Sequence, residues 1–170
     1  MANYGTIDGA DSYHLSAGTE KWTGTDAAKL AALVRASVYV DGLALRKRTN
    51  GSSYTMFSGV KALGRAQELA WPRVGAVDVD GSDIDSDVVP FEIEYATYEA
   101  ALRELVTPGS LMPDYVPTTL IKREKVDVLE TEYVAPTGDN PTSPVVGLVM
   151  SMIAPLLVKW GASDAGVLVV

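Results

Sequence analysis

The 170-residue chain contains no cysteine and a single histidine, His14. Without cysteine it can form no disulfide, thiolate metal site or thiol nucleophile. His14 has no nucleophile motif beside it, which favours a structural role. The G-x-S-x-G, Walker and dinucleotide-binding patterns and zinc-ligand spacing are also missing. We therefore predict a protein that is not an enzyme and that needs no cofactor or metal.

An excess of basic residues is missing as well. The formal net charge is −8, from 14 Lys and Arg against 22 Asp and Glu. Proteins that bind nucleic acid by themselves usually present a basic face, because phosphate neutralisation supplies much of the affinity. The start of the chain has no secretory signal pattern, and its longest apolar run is shorter than the roughly 20 residues that span a bilayer. We expect no membrane partner, and 47% hydrophobic residues are enough for one buried core.

Charge is distributed unevenly along the chain. Residues 45–67 hold five basic residues and no acid, whereas residues 76–104 hold nine acids and one Arg. Such blocks are most often solvated faces, but segregation also suits copies that pack basic face to acidic face around a ring. The predicted inter-subunit residues are Arg46, Lys47, Arg48, Lys61, Arg65, Asp78, Asp80, Asp83, Asp85, Lys122, Arg123 and Lys125.

Two helices are predicted in the first 43 residues. The segment DGADSYHLSAG has Asp8 as a candidate N-cap and Gly18 as a left-handed stop. In TGTDAAKLAALVRASVYVDG, Thr25 is the candidate cap and Gly42 ends the helix. Helical spacing predicts one buried stripe on this second helix, formed by Leu30, Leu33, Val34, Ser37 and Val38.

The third predicted helix follows Pro90, which suits a first turn, and ends at the TPG sequence of residues 107–109. Helical spacing predicts a continuous apolar stripe on it, with a second row that would let the helix pack on two sides. The stripe consists of Phe91, Tyr95, Tyr98, Leu102 and Leu105, and the second row of Ile93, Ala96 and Ala100. Glu92, Glu94 and Glu99 could act in acid–base chemistry, but carboxylates at a helix start have an ordinary electrostatic reason to be there.

Residues 43–70 are rich in glycine and serine around RTNGSSYTMFSG, which predicts a loop followed by a short helical turn around 61–69. Tyr54 and Phe57 are interleaved with the five cations. In such a loop the cations could contact phosphates and the aromatic rings could stack on bases. A solvated loop or a basic docking patch explains the same residues, so both interpretations stay open. Next, the AWPR sequence excludes a helix through Trp71.

Five aspartates lie within ten residues in DVDGSDIDSD, residues 78–87. Gly81 could occupy position 6 of an EF-hand loop, but Ala76 would then stand at position 1, where an oxygen ligand is needed. The Trp71–Pro72 pair also excludes a helix leading into such a loop. The alternative is a tight Asp80–Gly81 turn between short extended segments. We predict the turn.

The last third of the chain changes character. Residues 118–134 alternate in the manner of a strand, either one long arm or a loose hairpin about Asp127. Residues 135–143 have the composition of a linker. A final helix and an apolar tail are predicted in residues 144–170. The helix has Ser143 as cap, Pro144 in its first turn and a break at Pro155, and the tail ends in GVLVV.

The order of these motifs resembles that of a family. The segments that carry the likeness are YGTIDGADSYHLSAG, ALVRASVYVDGL, GRAQELAWPR, DVVPFEIEYATYEAALRELV and VDVLETEY, followed by an apolar C-terminal helix. They look like a family of tailed-phage and prophage proteins that is similar to the head–tail adaptor (connector, or neck) proteins of long-tailed phages. Members are often labelled DnaT-like single-strand DNA-binding proteins.

The resemblance implies a mainly α chain: a small helical bundle in residues 1–117 with a long loop, an extended arm or hairpin in 118–134, a linker in 135–143 and a docking helix and tail in 144–170. It implies a homo-oligomeric ring of about twelve copies in the virion neck, at the head–tail interface, assembled in the host cytoplasm. The implied partners are the portal protein, a tail-side neck or tail terminator protein, and duplex DNA that passes through the lumen without specific binding.

The apolar C-terminal segment is the expected portal-docking region, because the three preceding helices could close a core without it. The expected docking residues are Val145, Val146, Leu148, Val149, Met152, Ile153, Leu156, Leu157, Trp160, Val167, Leu168, Val169 and Val170. The alternative is a single-strand DNA-binding accessory protein that uses the basic segment 46–65. Charge weighs against that alternative, because twelve copies of a −8 chain carry a formal −96, which suits a conduit better than a binder.

Overall fold

The computed structural model describes residues 2–48, 50–112, 123–126, 129–132 and 146–158, with only backbone for the two short segments at 123–132. The described residues are rich in helix, as predicted, and combine four α-helices with small antiparallel strand pairs. The helices are α1 (Ile7–Ser16), α2 (Asp26–Leu43), α3 (Phe91–Val106) and α4 (Gly147–Ile153). The paired strands are β1 (Leu45–Lys47) with β2 (Ser53–Thr55), β3 (Val60–Lys61) with β4 (Arg73–Val74), β5 (Ala76–Val77) with β6 (Asp83–Ile84), and β7 (Arg123–Val126) with β8 (Leu129–Glu132).

Short polar side chains begin the first two helices. The predicted cap of α2 is confirmed, since the Thr25 hydroxyl accepts a hydrogen bond from the Ala28 amide. The predicted cap of α1 is wrong by two residues: Thr6, not Asp8, accepts from the Gly9 amide at 3.0 Å. Asp8 lies instead in the first turn, where its charge is favourable toward the helix dipole.

The core is built where α2 packs against α3, and several of its buried residues are small. On α3 the predicted second row, Ile93, Ala96 and Ala100, is completely buried. The predicted main stripe is only partly correct, because Phe91 and Tyr95 are 60% and 42% exposed. Alanine side chains let two helices approach closely, so the row that carries them faces the neighbouring helix.

The predicted stripe on α2 needs a similar correction. Leu33 and Ser37 are buried, but Leu30 and Val38 are about half exposed. The residues that complete the buried face are Ala32, Ala36, Tyr39 and Val40. The buried face is therefore rotated away from the largest aliphatic side chains, again toward alanine.

The fourth helix belongs to this core, which corrects the expectation that three helices close it alone. The helix packs against α3, and Val149 and Ile153 are completely buried. It begins at Gly147 with Val146 as N-cap, later than predicted; Ser143 and Pro144 lie outside the described residues. The predicted break at Pro155 is confirmed, because the helix becomes a 3₁₀ helix over Ala154–Leu156.

The segment predicted as a loop, residues 43–70, contains short strands that the glycine- and serine-rich composition concealed. Its predicted helical turn is a 3₁₀ helix at Gly64–Ala66. The Arg73 guanidinium is buried and donates to the carbonyl oxygens of Ser58, Gly59 and Ala70. One buried side chain therefore holds together three parts of the strand region. The Trp71–Pro72 peptide bond beside it is cis.

Residues 123–132 form a hairpin, which decides between the two predicted forms of the arm. The register pairs Arg123 with Glu132 and Val126 with Leu129. Asp127 lies between the two strands but outside the described residues, as do the predicted linker 135–143 and the tail.

Candidate interaction surfaces

The β1–β2 hairpin forms one wall of a groove of about 690 Å³. Basic side chains from four positions line this groove together with two acidic side chains, which leaves a formal charge of +2. The basic ones are Arg46, Lys47, Lys61 and Arg73, and the acidic ones are Asp41 and Glu68. We call this the basic groove.

The predicted basic residues differ in how much of their hydrogen-bonding capacity is free. The Lys61 ammonium donates to the carbonyl oxygens of Gln67 and Glu68, at 3.0 and 3.2 Å. The Arg46 guanidinium donates to the carbonyl oxygens of Leu43 and Leu45. Lys47 and Arg48 are exposed, while Arg65 is exposed on the 3₁₀ helix and does not line the groove.

The two aromatic residues predicted to stack on bases have different environments. Phe57 is 1% exposed and packs edge to face on Trp71, with ring centroids 5.5 Å apart. It belongs to the core, so its ring is not available for the base stacking that one of the two interpretations considers. Tyr54 lines the groove, and the Arg48 guanidinium lies 5.2 Å from its ring centroid. Tyr54 alone keeps a ring that a ligand in the groove could contact.

A buried polar network supports the groove. The Tyr4 hydroxyl donates to Asp41 Oδ1 at 2.6 Å and accepts from the Trp71 amide at 3.0 Å. Asp41 Oδ2 accepts from the Ala70 amide at 2.8 Å. Burial raises the pKa of Asp41 above its ordinary value, and it also raises the pKa of Tyr4. Sequence reasoning missed this network, because its members lie up to 67 residues apart.

The aspartate-rich segment forms the predicted turn. The Asp78 carboxylate accepts from the amides of Asp80 and Ser82, at 2.9 and 2.8 Å, and Gly81 has a φ of +83°. Asp78 is therefore a structural residue of the turn, whereas Asp80, Asp83 and Asp85 are exposed. The described residues include no group of three or more acids or histidines arranged to hold a metal ion. We call the β5–β6 turn, residues 78–85, the acidic tip.

Ion pairs within the described part of the chain involve neither surface. They join Lys29 to Asp11 at 2.7 Å and Arg35 to Glu104 at 2.6 Å. Glu104 is 1% exposed and also accepts a hydrogen bond from the Gly109 amide, so it stabilises the turn that follows α3. No ion pair within the described residues neutralises Lys47 of the groove, Arg48 beside it, or Asp80, Asp83 or Asp85 of the acidic tip.

The expected portal-docking residues fall into three groups. Four of them, Val149, Ile153, Leu156 and Leu157, are at most 8% exposed within the chain itself, so they have no free surface for a partner. Val146 and Met152 are half-buried, and Leu148 is 52% exposed. Outside the described residues lie Val145, Trp160, Val167, Leu168, Val169 and Val170, as does Lys122 of the inter-subunit set.

The chain leaves and re-enters the core at one place. A pocket of about 460 Å³ is lined by Thr107 and Ser110, which follow α3, and by Val146, which precedes α4. The Val146 amide also donates to the Tyr39 hydroxyl at 3.1 Å. Leu111, directly after Ser110, is still buried in the core, so the segment that contains the β7–β8 hairpin is inserted after Leu111 and before Val146, between neighbouring parts of the core.

His14 is buried in the core. Its Nε2–H donates to the Tyr98 carbonyl oxygen at 3.2 Å, while Nδ1 has no partner among the described residues. Burial lowers the pKa of His14 below its ordinary value. The Glu99 carboxylate, a candidate for acid–base chemistry, accepts a hydrogen bond from the Tyr13 hydroxyl. Burial together with this carboxylate raises the pKa of Tyr13 to about 12.

None of the described helices combines the length and the apolar composition needed to cross a bilayer.

Comparison with known proteins gives one match. No curated protein and no solved structure is similar enough to the chain to be matched. A family model does match, over residues 2–169. Because this match spans nearly the whole chain, the chain belongs to the family described as "Putative DnaT-like ssDNA binding protein".

Proposed function

We propose that the chain is a non-enzymatic structural protein of a tailed-phage neck, a head–tail adaptor whose copies form a ring beneath the portal. The helices form the bundle at the body of each subunit, and twelve copies is the number that the resemblance implies. The ring joins the portal to the tail-side neck or tail terminator protein. Duplex DNA passes through it without being specifically bound.

The observation that carries this proposal is the insertion between Leu111 and Val146. Residues at its two ends, Ser110 and Val146, line the same pocket, so the chain leaves the described core and returns to it at neighbouring positions. The insertion contains a β-hairpin of charged sequence. An extension of this kind can reach a neighbouring subunit without disturbing the fold of its own, and strand or hairpin exchange is a common basis of subunit contact.

Charge supports the conduit role over a binding role. The chain carries −8, so a ring of twelve copies carries a formal −96. A negatively charged lumen repels the duplex backbone and lets DNA slide. Tight binding would instead need enough cations to release the condensed counterions of the nucleic acid.

Burial of α4 moves the proposed portal contact toward the C-terminal end. Four of the expected docking side chains hold the core together, so the contact falls to residues 159–170, with the exposed Leu148 beside them. Their apolar composition, GVLVV at the end, suits insertion into a groove of a partner.

Deletion of residues 161–170 tests this docking role. The variant should keep the helical circular dichroism and unfolding midpoint of the full chain but lose co-sedimentation with portal rings. A matched control replaces Val167, Leu168, Val169 and Val170 by serine, which keeps the length and removes the apolar surface. Undiminished co-sedimentation of both variants would contradict the proposal.

The second candidate function is single-strand DNA binding, which the family description and one feature of the structure favour. Lys47 and Tyr54 line the basic groove, and the Arg48 guanidinium lies over the Tyr54 ring. Cations that track a backbone next to a stacking ring are typical of single-strand binding sites. Phe57 and Lys61 are excluded from such a site by burial and by internal hydrogen bonds.

Fluorescence anisotropy with a labelled oligonucleotide separates the two functions. Single-strand binding predicts a signal that weakens with salt, is lost on the double replacement Lys47→Ala with Arg48→Ala, and is kept with Arg65→Ala. The adaptor function predicts no saturable binding by any of the three proteins.

A further inference from the structure

We propose that the basic groove of one subunit receives the acidic tip of the next subunit, so that each copy carries both halves of one head-to-tail contact. This inference rests on the adaptor function and names the surfaces that would build its ring. The two halves lie on the same chain but do not meet within it, because no residue of the acidic tip lines the groove.

The groove has the charge and size that such an occupant needs. Its lining carries a formal +2, and its volume is about 690 Å³. Pockets of about 300–1,000 Å³ hold drug-sized molecules, which have dimensions similar to those of a tight turn. The Lys47 side chain makes no hydrogen bond or ion pair within the described residues, so its ammonium can meet a carboxylate without breaking an internal bond.

The acidic tip has a fixed shape before it meets a partner. Hydrogen bonds from the Asp80 and Ser82 amides to Asp78, and one from the Asp78 amide to the Ser82 carbonyl oxygen at 3.0 Å, close the turn. A preformed turn loses little conformational entropy on docking. The exposed carboxylates of Asp80, Asp83 and Asp85 are free of ion pairs with other described residues, so they can meet the groove.

Apolar surfaces also match. Val79, at the acidic tip, is 57% exposed. Val38, Leu45 and Met112 line the groove and are each about half exposed. A docked tip would cover these side chains together, and an apolar centre within complementary charges is the usual composition of a specific interface.

A second copy is favoured as occupant because the complementary surface is already part of the same chain. One groove and one tip on each subunit form a heterologous contact, and such contacts generate a closed ring when the rotation between subunits closes. Nucleic acid in the groove is the competing outcome, which the experiment separates.

Charge reversal on the full-length chain tests the contact. One variant carries Lys47→Glu and Arg48→Glu, which reverse one cation of the groove lining and the cation that lies over Tyr54 of the groove. A second variant carries Asp83→Lys and Asp85→Lys, and a third carries all four changes. Arg65→Glu is the matched control, since Arg65 belongs to the same basic segment but does not line the groove. Oligomer mass is measured by analytical ultracentrifugation at low and high salt, with circular dichroism as the test of folding.

Each two-site variant should assemble with an apparent dissociation constant raised about tenfold or more. The four-site variant and an equimolar mixture of the two-site variants should assemble more tightly than either two-site variant alone, whereas Arg65→Glu should assemble as the native chain does. A failure to fold cannot imitate the recovery seen on mixing. Two results would overturn this contact and leave the adaptor function standing. One is oligomers of native size in every charge-reversal variant, and the other is oligomers that dissociate only when an oligonucleotide is added. A native chain that stays monomeric under every condition, with or without portal rings, would overturn the adaptor function itself.

Discussion

The Tyr4 hydroxyl and the Asp41 carboxylate are 2.6 Å apart and join the N-terminal segment to the last turn of α2. The Tyr4 hydroxyl also accepts a hydrogen bond from the Trp71 amide, and the Asp41 carboxylate accepts one from the Ala70 amide. Through these hydrogen bonds, Tyr4 and Asp41 hold in place the turn that contains the cis peptide bond. This turn also forms one side of the basic groove. The groove therefore depends on a contact between the beginning of the chain and its middle.

Replacement of Tyr4 by phenylalanine should lower the free energy of unfolding by about 1–3 kcal/mol, because it leaves Asp41 Oδ1 and the Trp71 amide without their hydrogen-bond partner in a buried site. Urea denaturation followed by circular dichroism measures the change. Tyr95→Phe is the matched control: this ring is 42% exposed and its hydroxyl makes no hydrogen bond within the described residues. Equal stabilities of the two variants would contradict the importance of the Tyr4–Asp41 bond.

Stability should fall between about pH 7 and about pH 5.5 because of His14. Burial holds the pKa of folded His14 below 6.5, although the nearby Glu99 and Asp11 act in the opposite direction. The unfolded chain therefore binds a proton first as the pH falls, and the free energy of unfolding decreases by up to about 1.4 kcal/mol per pH unit. Protonation would also add a charged Nδ1–H that has no acceptor among the described residues.

The pH dependence is checked by denaturation of the native chain and of His14→Gln at several pH values. Glutamine can still donate to the Tyr98 carbonyl oxygen but does not titrate. The variant should show little change in stability over this range. A native chain whose stability is equally flat would show that His14 takes up its proton without cost.

Local chemistry allowed much of the fold to be predicted. Thr25 caps α2 through its own hydroxyl, Pro155 interrupts helical hydrogen bonding, and the Asp80–Gly81 pair turns because glycine accepts a positive φ. Each of these signals acts within a few residues. They were therefore readable in the sequence, and the structure has them where they were predicted.

The buried face of each helix cannot be predicted from the sequence in the same way. Leu30 and Phe91 have the larger apolar surfaces, yet Ala36 and Ala96 face the core, because close approach of α2 and α3 needs small side chains. The buried polar contacts of Tyr4, Asp41 and Arg73 link positions far apart in the chain, and no local pattern marks them. For the candidate surfaces, sequence composition identified the charged segments, but only the structure separates Lys47 from Lys61, whose ammonium is already hydrogen-bonded.

Gly59 should tolerate no side chain. Its φ is +65°, and a Cβ there would lie 2.8 Å from the Ala76 amide nitrogen and closer still to the Val74 carbonyl oxygen. Gly51 has a φ of +82° but open space around it, so Gly51→Ala measures backbone strain alone, about 1–2 kcal/mol. Gly59→Ala should cost about 2 kcal/mol more, because backbone atoms must move. Thermal unfolding of both variants provides the comparison, and similar melting temperatures would argue against the close approach.

Ile153 and Leu148, two of the expected docking residues on α4, should respond differently to truncation. Ile153 is completely buried, so Ile153→Ala should lower the free energy of unfolding by about 2–5 kcal/mol through lost burial and a residual cavity. Leu148 is 52% exposed, so Leu148→Ala should change stability by no more than about 0.5 kcal/mol. Denaturation of the isolated chain measures both effects, and portal co-sedimentation then shows whether Leu148 has a separate role in binding. Equal destabilisation by the two substitutions would mean that α4 does not bury the face described here, since only a helix docked on α3 through Ile153 separates the two side chains in this way.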